Sequence, residues 1–217
     1  MTKQQVINKT ADYIKKKMSG EGSGHDWWHV YRVWQLAITI GKKEKADMFI
    51  VELGALLHDI ADWKFTGGDE GVGPRLAGEW LRKLKVKESE VEKVEEIIRC
   101  ASFKGAGVST RMQTLEGGVV QDADRLDAIG AMGIARAFAY GGHKSREMYN
   151  PGIKPKMHKT AADYKKNNSS TINHFYEKLL LLKNLMNTKT AKRIAIKRHR
   201  FMEKYLEEFF AEWGGER

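Results

Sequence analysis

Residues 49–59 read Phe-Ile-Val-Glu-Leu-Gly-Ala-Leu-Leu-His-Asp, a nearly continuous apolar run that ends in His58 and Asp59. Such a run predicts a buried helix. Taking a charged side chain out of water is costly unless that side chain is paired or bound to a metal ion. The doublet His58-Asp59 therefore predicts metal ligation, with a buried ion pair as the structural alternative.

Two further segments carry imidazoles and carboxylates of the same kind. They are His25-Asp-Trp-Trp-His29-Val-Tyr-Arg32 and Val119-Val-Gln-Asp122-Ala-Asp124-Arg125-Leu-Asp127. Imidazole nitrogen combined with carboxylate oxygen suits Mn²⁺, Fe²⁺, Co²⁺, Ni²⁺ or Zn²⁺ better than an all-oxygen Mg²⁺ site. We expect one divalent ion held by three helices, with Mn²⁺ favoured, the other four as alternatives and Mg²⁺ also allowed.

The bulk composition indicates one globular domain over residues 1–217. The chain has 217 residues, 41% of them hydrophobic, which is enough for a full core. A single cysteine, Cys100, excludes an internal disulfide. Because no signal peptide or transmembrane run is found, we expect a cytoplasmic protein without a membrane partner.

The periodicity of apolar residues and the presence of only three prolines predict an all-α, multi-helix bundle. The predicted helices cover residues 2–18, 26–41, 45–61, 72–85, 88–101, 112–140, 169–186 and 189–213. The intervening segment 141–168 is basic and rich in Gly, Lys and Asn. This composition predicts either a mobile lid or an ordinary surface loop.

Positive charge is concentrated in one part of the chain. The net charge is +10, and residues 143–200 hold 15 Lys and Arg against Glu147, Asp163 and Glu177, a local net charge of +12. This asymmetry favours a polyanionic ligand, either nucleotide phosphates or nucleic acid. A solvated, Lys-rich surface is the alternative for most of these side chains.

The spacing of the polar residues suits phosphate hydrolysis. If the helix over 45–61 continues far enough, Asp62 faces the same side as His58 and Asp59. Arg32 likewise lies three residues after His29, where a guanidinium can reach a phosphate. A bound metal ion lowers the pKa of its water and polarises a phosphoryl oxygen. The candidate cations for stabilising the transition state are Arg32, Lys64, Lys104 and Arg125.

This pattern resembles the HD superfamily of metal-dependent phosphohydrolases, whose helices carry a separated His, a His-Asp doublet and a distant Asp. The resemblance implies His29, His58, Asp59 and Asp124 as metal ligands; Asp124 is preferred because Ala123-Asp-Arg-Leu126 matches the family's pattern at the last ligand. It further implies catalytic roles for Asp62, Lys64 and Arg32. The implied substrate contacts are His25, Lys104, Arg125 and Asp127.

Other stretches look like a bacterial subgroup of small HD hydrolases. They are Ser102-Phe-Lys-Gly105, residues 121–136 and Ile172-Asn-His-Phe-Tyr-Glu-Lys-Leu179. The subgroup implies hydrolysis of a (deoxy)nucleoside triphosphate to a monophosphate and pyrophosphate. The nucleotide is then the expected small-molecule partner, and the sequence leaves open whether the chain forms a homodimer.

Two other functions remain as alternatives. A 5′-nucleotidase or phosphodiesterase would use the same site on another phosphorus. A nucleic-acid-binding protein with a structural or degenerate metal site would use the basic segment, and its affinity would fall steeply with salt. No helix-turn-helix, zinc-finger or RNA-binding signature favours that last reading.

Overall fold

The computed structural model describes residues 1–18, 26–61, 69, 71–101, 112–157 and 169–216, and in these ranges every regular element is a helix. The predicted all-α helical fold is confirmed. The helices are α1 Lys3–Lys17, α2 Trp27–Glu44, α3 Met48–Leu57, α4 Val72–Lys83, α5 Glu88–Ala101, α6 Leu115–Asp127, α7 Gly130–His143, α8 Thr171–Glu177, a 3₁₀ helix Leu179–Leu185 and α9 Lys189–Trp213. None of these helices combines the length and apolar character needed to cross a membrane.

Contacts between residues group the chain into two compact units. In the described residues, the first unit runs to Asp124 and the second begins at Arg125. Helix α6 therefore belongs to the first unit over most of its length and to the second in its last turn.

Helix α3 forms the centre of the first unit. Eight of its ten residues are buried, and α1, α2 and α5 all pack against it. Its apolar composition explains this position, because a helix that is hydrophobic on all sides is stable only when it is surrounded. Asp47 caps its start by accepting a hydrogen bond from the Phe49 N–H at 3.0 Å. The buried run thus begins and ends at polar residues.

The second unit is built around α9. Helix α7 and the 3₁₀ helix pack on α9, and α8 packs on both α7 and the 3₁₀ helix. Phe175 connects them, since its ring stacks on Tyr205 of α9 at 5.9 Å and lies 6.2 Å from Phe138 of α7. Burial in this aromatic cluster raises the pKa of Tyr205.

Three predicted helices differ from those observed. The predicted helix over 112–140 is interrupted between α6 and α7, because Gly130 adopts a left-handed conformation with φ +78°. The predicted helix over 169–186 divides into α8 and the 3₁₀ helix. The predicted helix over 45–61 begins at Met48 and ends at Leu57, so the His-Asp doublet lies in the turn that follows it.

The first part of the basic segment 141–168 is attached to α8. Backbone oxygens of Glu147 and Met148 accept hydrogen bonds from the first two N–H groups of α8, at 2.9 and 3.0 Å. The Asn173 amide donates to the Ile153 carbonyl at 2.7 Å. These contacts attach residues 147–153 to the start of α8. Residues 158–168 lie outside the described residues, and the choice between a lid and a surface loop stays a prediction.

Leu56→Ala should lower the free energy of unfolding by about 2–5 kcal/mol, because Leu56 is fully buried in α3 and its truncation leaves a cavity. The matched control is Leu115→Ala at a 44% exposed leucine, where we expect a change of about 0.5 kcal/mol or less. Urea denaturation followed by tryptophan fluorescence measures both. Equal losses in the two variants would contradict the central position of α3.

Candidate metal centre

His29 lies in the first turn of α2, where its backbone is fixed by a cap. Asp26 is the N-cap residue, and its carboxylate accepts a hydrogen bond from the His29 N–H at 3.0 Å. The His29 side chain is fully buried. The helix predicted over residues 26–41 includes Asp26, whereas in the structure Asp26 precedes the helix as its cap. The signal for this cap in the sequence is an aspartate directly before the first residue of a helix.

His58 is the C-cap residue of α3, and its side chain contacts a backbone carbonyl at that end of the helix. Its Nδ1 lies 2.8 Å from the carbonyl oxygen of Ala55, one of the last four carbonyls, which lack a partner within the helix. Because a carbonyl only accepts hydrogen bonds, Nδ1 is the donor in this contact, and in the neutral imidazole Nε2 then carries the lone pair. A backbone contact of this kind orients an imidazole for metal ligation.

The lone pair of His58 Nε2 points into a cluster of four side chains. His29 Nε2 lies 3.2 Å from His58 Nε2. Asp59 Oδ2 lies 3.3 Å from the Nε2 of His29 and 3.5 Å from that of His58. Asp124 Oδ1 lies 3.5 and 3.9 Å from the same two nitrogens. The four residues predicted as metal ligands therefore converge within the first unit.

This donor set fits a divalent ion. A metal ion binds imidazole nitrogen and carboxylate oxygen at about 2.0–2.2 Å, which separates neighbouring donor atoms by about 3.0–3.5 Å. Four of the five distances fall within that range. His29, His58 and Asp59 together form a candidate metal site, and the carboxylates compensate the charge of a bound cation.

The burial of the four side chains differs in a way that leaves the cluster open on one side. The exposed fraction is 0% for His29 and 2% for His58, but 16% for Asp59 and 32% for Asp124. The two imidazoles thus lie on the buried side of the cluster, and the two carboxylates lie nearer the solvent. Catalytic metal sites keep such an open position for water or substrate.

Close helix packing brings two of the four groups together. A Cβ atom on Gly54 would lie 3.2 Å from Val120 Cγ2, so α3 and α6 approach each other closely there. His58 follows Gly54 by four residues and Asp124 follows Val120 by four. Because four residues make about one helical turn, the His58 imidazole and the Asp124 carboxylate lie one turn after the close approach at Gly54.

Five further predicted site residues are described only in part. Arg32 is half-buried on α2, three residues after His29. His25, Asp62, Lys64 and Lys104 lie outside the described residues. The shared helix face expected for Asp62 required the helix to continue past His58 and Asp59, whereas α3 ends at Leu57; the role of Asp62 stays a prediction.

Arg125 and Asp127 belong to the second unit and are buried there. The Arg125 guanidinium donates to the carbonyl of Leu185, and Asp127 accepts a hydrogen bond from Arg136 at 2.9 Å. Arg198 also donates to the Leu126 carbonyl; its burial lowers the pKa of the guanidinium, while Asp127 opposes this shift. Substrate binding by Arg125 and Asp127 stays a prediction.

Comparison with known proteins supports the geometry. Residues 27–129 match the model of the HD domain family. The uncharacterised protein YpgQ of Bacillus subtilis (strain 168) is 40% identical over 195 residues, which cover 89% of this chain and 87% of YpgQ.

Solved structures are similar over nearly the full length. An HD-superfamily hydrolase of Bacillus thuringiensis is 44% identical with a TM-score of 0.76, over 98% of this chain and 99% of that one. A Lactobacillus plantarum protein has a TM-score of 0.87 at 37% identity, over 99% and 100%. Bacillus subtilis YpgQ in complex with ADP has a TM-score of 0.74 at 36% identity, over 95% and 97%.

Replacing His58 with Ala should weaken Mn²⁺ binding by about 100-fold or more, because the change removes a donor atom that the Ala55 carbonyl holds in place. His143→Ala is the matched control, since His143 is exposed at the end of α7. Electron paramagnetic resonance of free Mn²⁺ measures both affinities. Equal Mn²⁺ binding by the two variants would rule out His58 as a ligand.

Proposed function

This chain belongs to the HD superfamily of hydrolases, and we propose that it hydrolyses (deoxy)nucleoside triphosphates to a nucleoside monophosphate and pyrophosphate. Water would add to the α-phosphorus, and the bond from that phosphorus to the bridging oxygen would break. Pyrophosphate would then leave with that oxygen, and the proton of the water would pass to a base on the protein.

The observation that carries the proposal is the convergence of His29, His58, Asp59 and Asp124. The two imidazole nitrogens lie 3.2 Å apart, and each carboxylate has an oxygen within 4 Å of both nitrogens. Together these groups form a donor set for one divalent ion, and Mn²⁺ suits such mixed ligands. The ion would supply a Lewis acid and an acidified water molecule. The open, carboxylate side of the cluster would admit the phosphates.

A nucleotide substrate is supported by the structure of YpgQ with ADP. That relative shares 40% of its residues with this chain over most of both lengths. ADP carries the adenine, ribose and phosphate groups of a nucleoside triphosphate. The basic segment 143–200, with its net charge of +12, is also complementary to a polyphosphate.

The roles of the surrounding residues follow from the resemblance to HD hydrolases. Asp62 would accept the proton of the attacking water. Arg32, one helical turn from His29, and Lys64 would stabilise the charge on the phosphoryl oxygens. His25, Lys104, Arg125 and Asp127 would bind the remaining parts of the nucleotide.

A panel of nucleoside mono-, di- and triphosphates, incubated with metal-free protein and added Mn²⁺, tests the reaction directly. We expect a monophosphate and pyrophosphate in equal amounts from the triphosphates, because attack at the α-phosphorus releases both. Ion-exchange chromatography identifies the products. Nucleoside and phosphate from a monophosphate would indicate the 5′-nucleotidase alternative instead. Turnover that survives replacement of both His58 and Asp59 by Ala would refute catalysis at this site.

Asp62→Asn should lower kcat by about 100-fold or more, because an amide cannot accept the proton of the attacking water. Mn²⁺ affinity should stay within about twofold of the wild type, since Asp62 is not among the proposed ligands. Asp12→Asn, on an exposed residue of α1, is the matched control for the change of charge. A parallel loss of metal binding in Asp62→Asn would assign Asp62 to the metal instead.

A further inference from the structure

A side chain of α9 spans the break between α6 and α7. The Arg198 guanidinium donates a hydrogen bond to the carbonyl oxygen of Leu126, in the last turn of α6. The aliphatic part of Arg198 lies beside Gly130, the first residue of α7, where an added Cβ atom would be 2.9 Å from Arg198 Cγ and 3.0 Å from Arg198 Cβ. We call this arrangement of Arg198, Leu126 and Gly130 the α6 clamp.

The clamp acts where α6 runs out of hydrogen bonds of its own. The last four carbonyls of a helix lack partners within the regular helical pattern, and in α6 they belong to residues 124–127. The Leu126 carbonyl accepts from the Ile129 N–H at 3.2 Å and also from the Arg198 guanidinium. A cation at this end of a helix also interacts favourably with the macrodipole. Arg198 therefore stabilises the last turn of α6.

Asp124 lies in this last turn, two residues before Leu126. The exposed fraction of its side chain is 32%, the largest among the four proposed metal ligands. Packing around the side chain therefore restrains Asp124 less than it restrains His29 and His58. The position of the carboxylate depends correspondingly more on the backbone of α6.

We propose that Arg198 is a positioning residue for Asp124, the proposed metal ligand on α6. The clamp fixes the last turn of α6 and thereby holds the Asp124 carboxylate at its distance from the imidazoles of His29 and His58. A metal site requires its ligands to be held within about 0.5 Å of the correct geometry. This inference rests on the metal binding proposed for the cluster of four side chains, and it adds a residue from α9 to that site's support.

The surroundings of Arg198 favour this supporting role over direct contact with a phosphate. Its guanidinium is bound to the Leu126 carbonyl. The side chain is half-buried, which lowers the pKa of the guanidinium, while the charge of Asp127 opposes this shift. Asp127 is itself buried and pairs with Arg136 at 2.9 Å. Arg198 is thus part of the packed interior of the second unit.

Arg198→Met tests the clamp, because methionine keeps an aliphatic side chain beside Gly130 and removes the donor to Leu126. We expect the Kd for Mn²⁺ to rise by about tenfold, the lower end of the effect of contacts that orient metal ligands. Electron paramagnetic resonance of free Mn²⁺ measures this Kd on the full chain without nucleotide. Arg198→Lys keeps a charged donor, so its Kd should stay within about threefold of the wild type.

A double-mutant cycle shows whether Arg198 acts through Asp124. Asp124→Ala alone should raise the Kd for Mn²⁺ by about 100-fold, because it removes a ligand. Adding Arg198→Met to Asp124→Ala should change the Kd by less than about twofold, because the carboxylate that the clamp positions is already absent. The two effects should therefore not add.

Two control variants separate the clamp from charge and from stability. Arg200→Met removes an exposed positive charge from the same helix. Leu206→Ala removes buried apolar contacts of α9 about two turns beyond Arg198, and it should lower the midpoint of urea denaturation. Both variants should bind Mn²⁺ with a Kd within about threefold of the wild type. Circular dichroism verifies that each variant is folded.

Gly130→Ala reaches the clamp from its other side and serves if Arg198→Met does not fold. The added methyl group would meet Arg198 Cγ at 2.9 Å, and the φ of +78° is unfavourable for alanine. Both effects displace the clamp. We expect the Kd for Mn²⁺ to rise by about fivefold or more.

The outcomes distinguish this inference from the metal centre itself. Equal Mn²⁺ affinity of the wild type and Arg198→Met would overturn the role of Arg198 and leave the metal centre in place. Equal losses in Arg198→Met and Leu206→Ala, or additive effects in the cycle with Asp124→Ala, would overturn it as well. A wild-type chain that binds no Mn²⁺ would refute the metal centre and this inference together. None of these measurements depends on nucleotide turnover.

Discussion

The burial of α3 is the constraint on which the rest of the first unit depends. An almost wholly apolar helix is stable only when its whole circumference is covered, and α1, α2 and α5 provide that cover. The helix ends at Leu57, and the polar residues His58 and Asp59 follow it directly. Its C-terminus is consequently embedded among other helices, so that the side chain of His58 is buried and that of Asp59 lies nearer the solvent. The buried apolar helix thus positions the polar residues at its C-terminal end.

The ends of the helices orient the imidazoles of this site. A helix leaves its last carbonyls and its first N–H groups without partners. The Ala55 carbonyl at the end of α3 accepts the ring proton of His58, and Asp26 at the start of α2 accepts the backbone N–H of His29. Hydrogen-bonding groups that every helix must satisfy thus hold two of the four proposed ligands. Gly54 completes the arrangement, because the absence of a side chain there allows α6 to bring Asp124 within reach.

Local signals in the sequence predict the all-α fold and the three polar segments that meet, whereas the choice of Asp124 among the aspartates of α6 rests on the resemblance to HD hydrolases. Apolar periodicity marks a helix, and an ionisable pair at the end of a buried run marks a site. The positions of the helix ends are harder to predict from the sequence, since the break before Gly130 and the end of α3 at Leu57 depend on packing. The contact between Arg198 and the Leu126 carbonyl spans 72 positions of the chain, and no periodic pattern indicates it.

The three carboxylates of α6 show most clearly where sequence information ends. Asp122, Asp124 and Asp127 lie within six residues, and their side chains are chemically identical. Successive positions on a helix are turned by 100°, so Asp122 and Asp124 point about 160° apart. Asp122 is fully buried, Asp124 lies beside the two imidazoles, and Asp127 pairs with Arg136. The neighbours of each helix face, which the fold supplies, therefore determine which aspartate lies beside the imidazoles and which one pairs with Arg136.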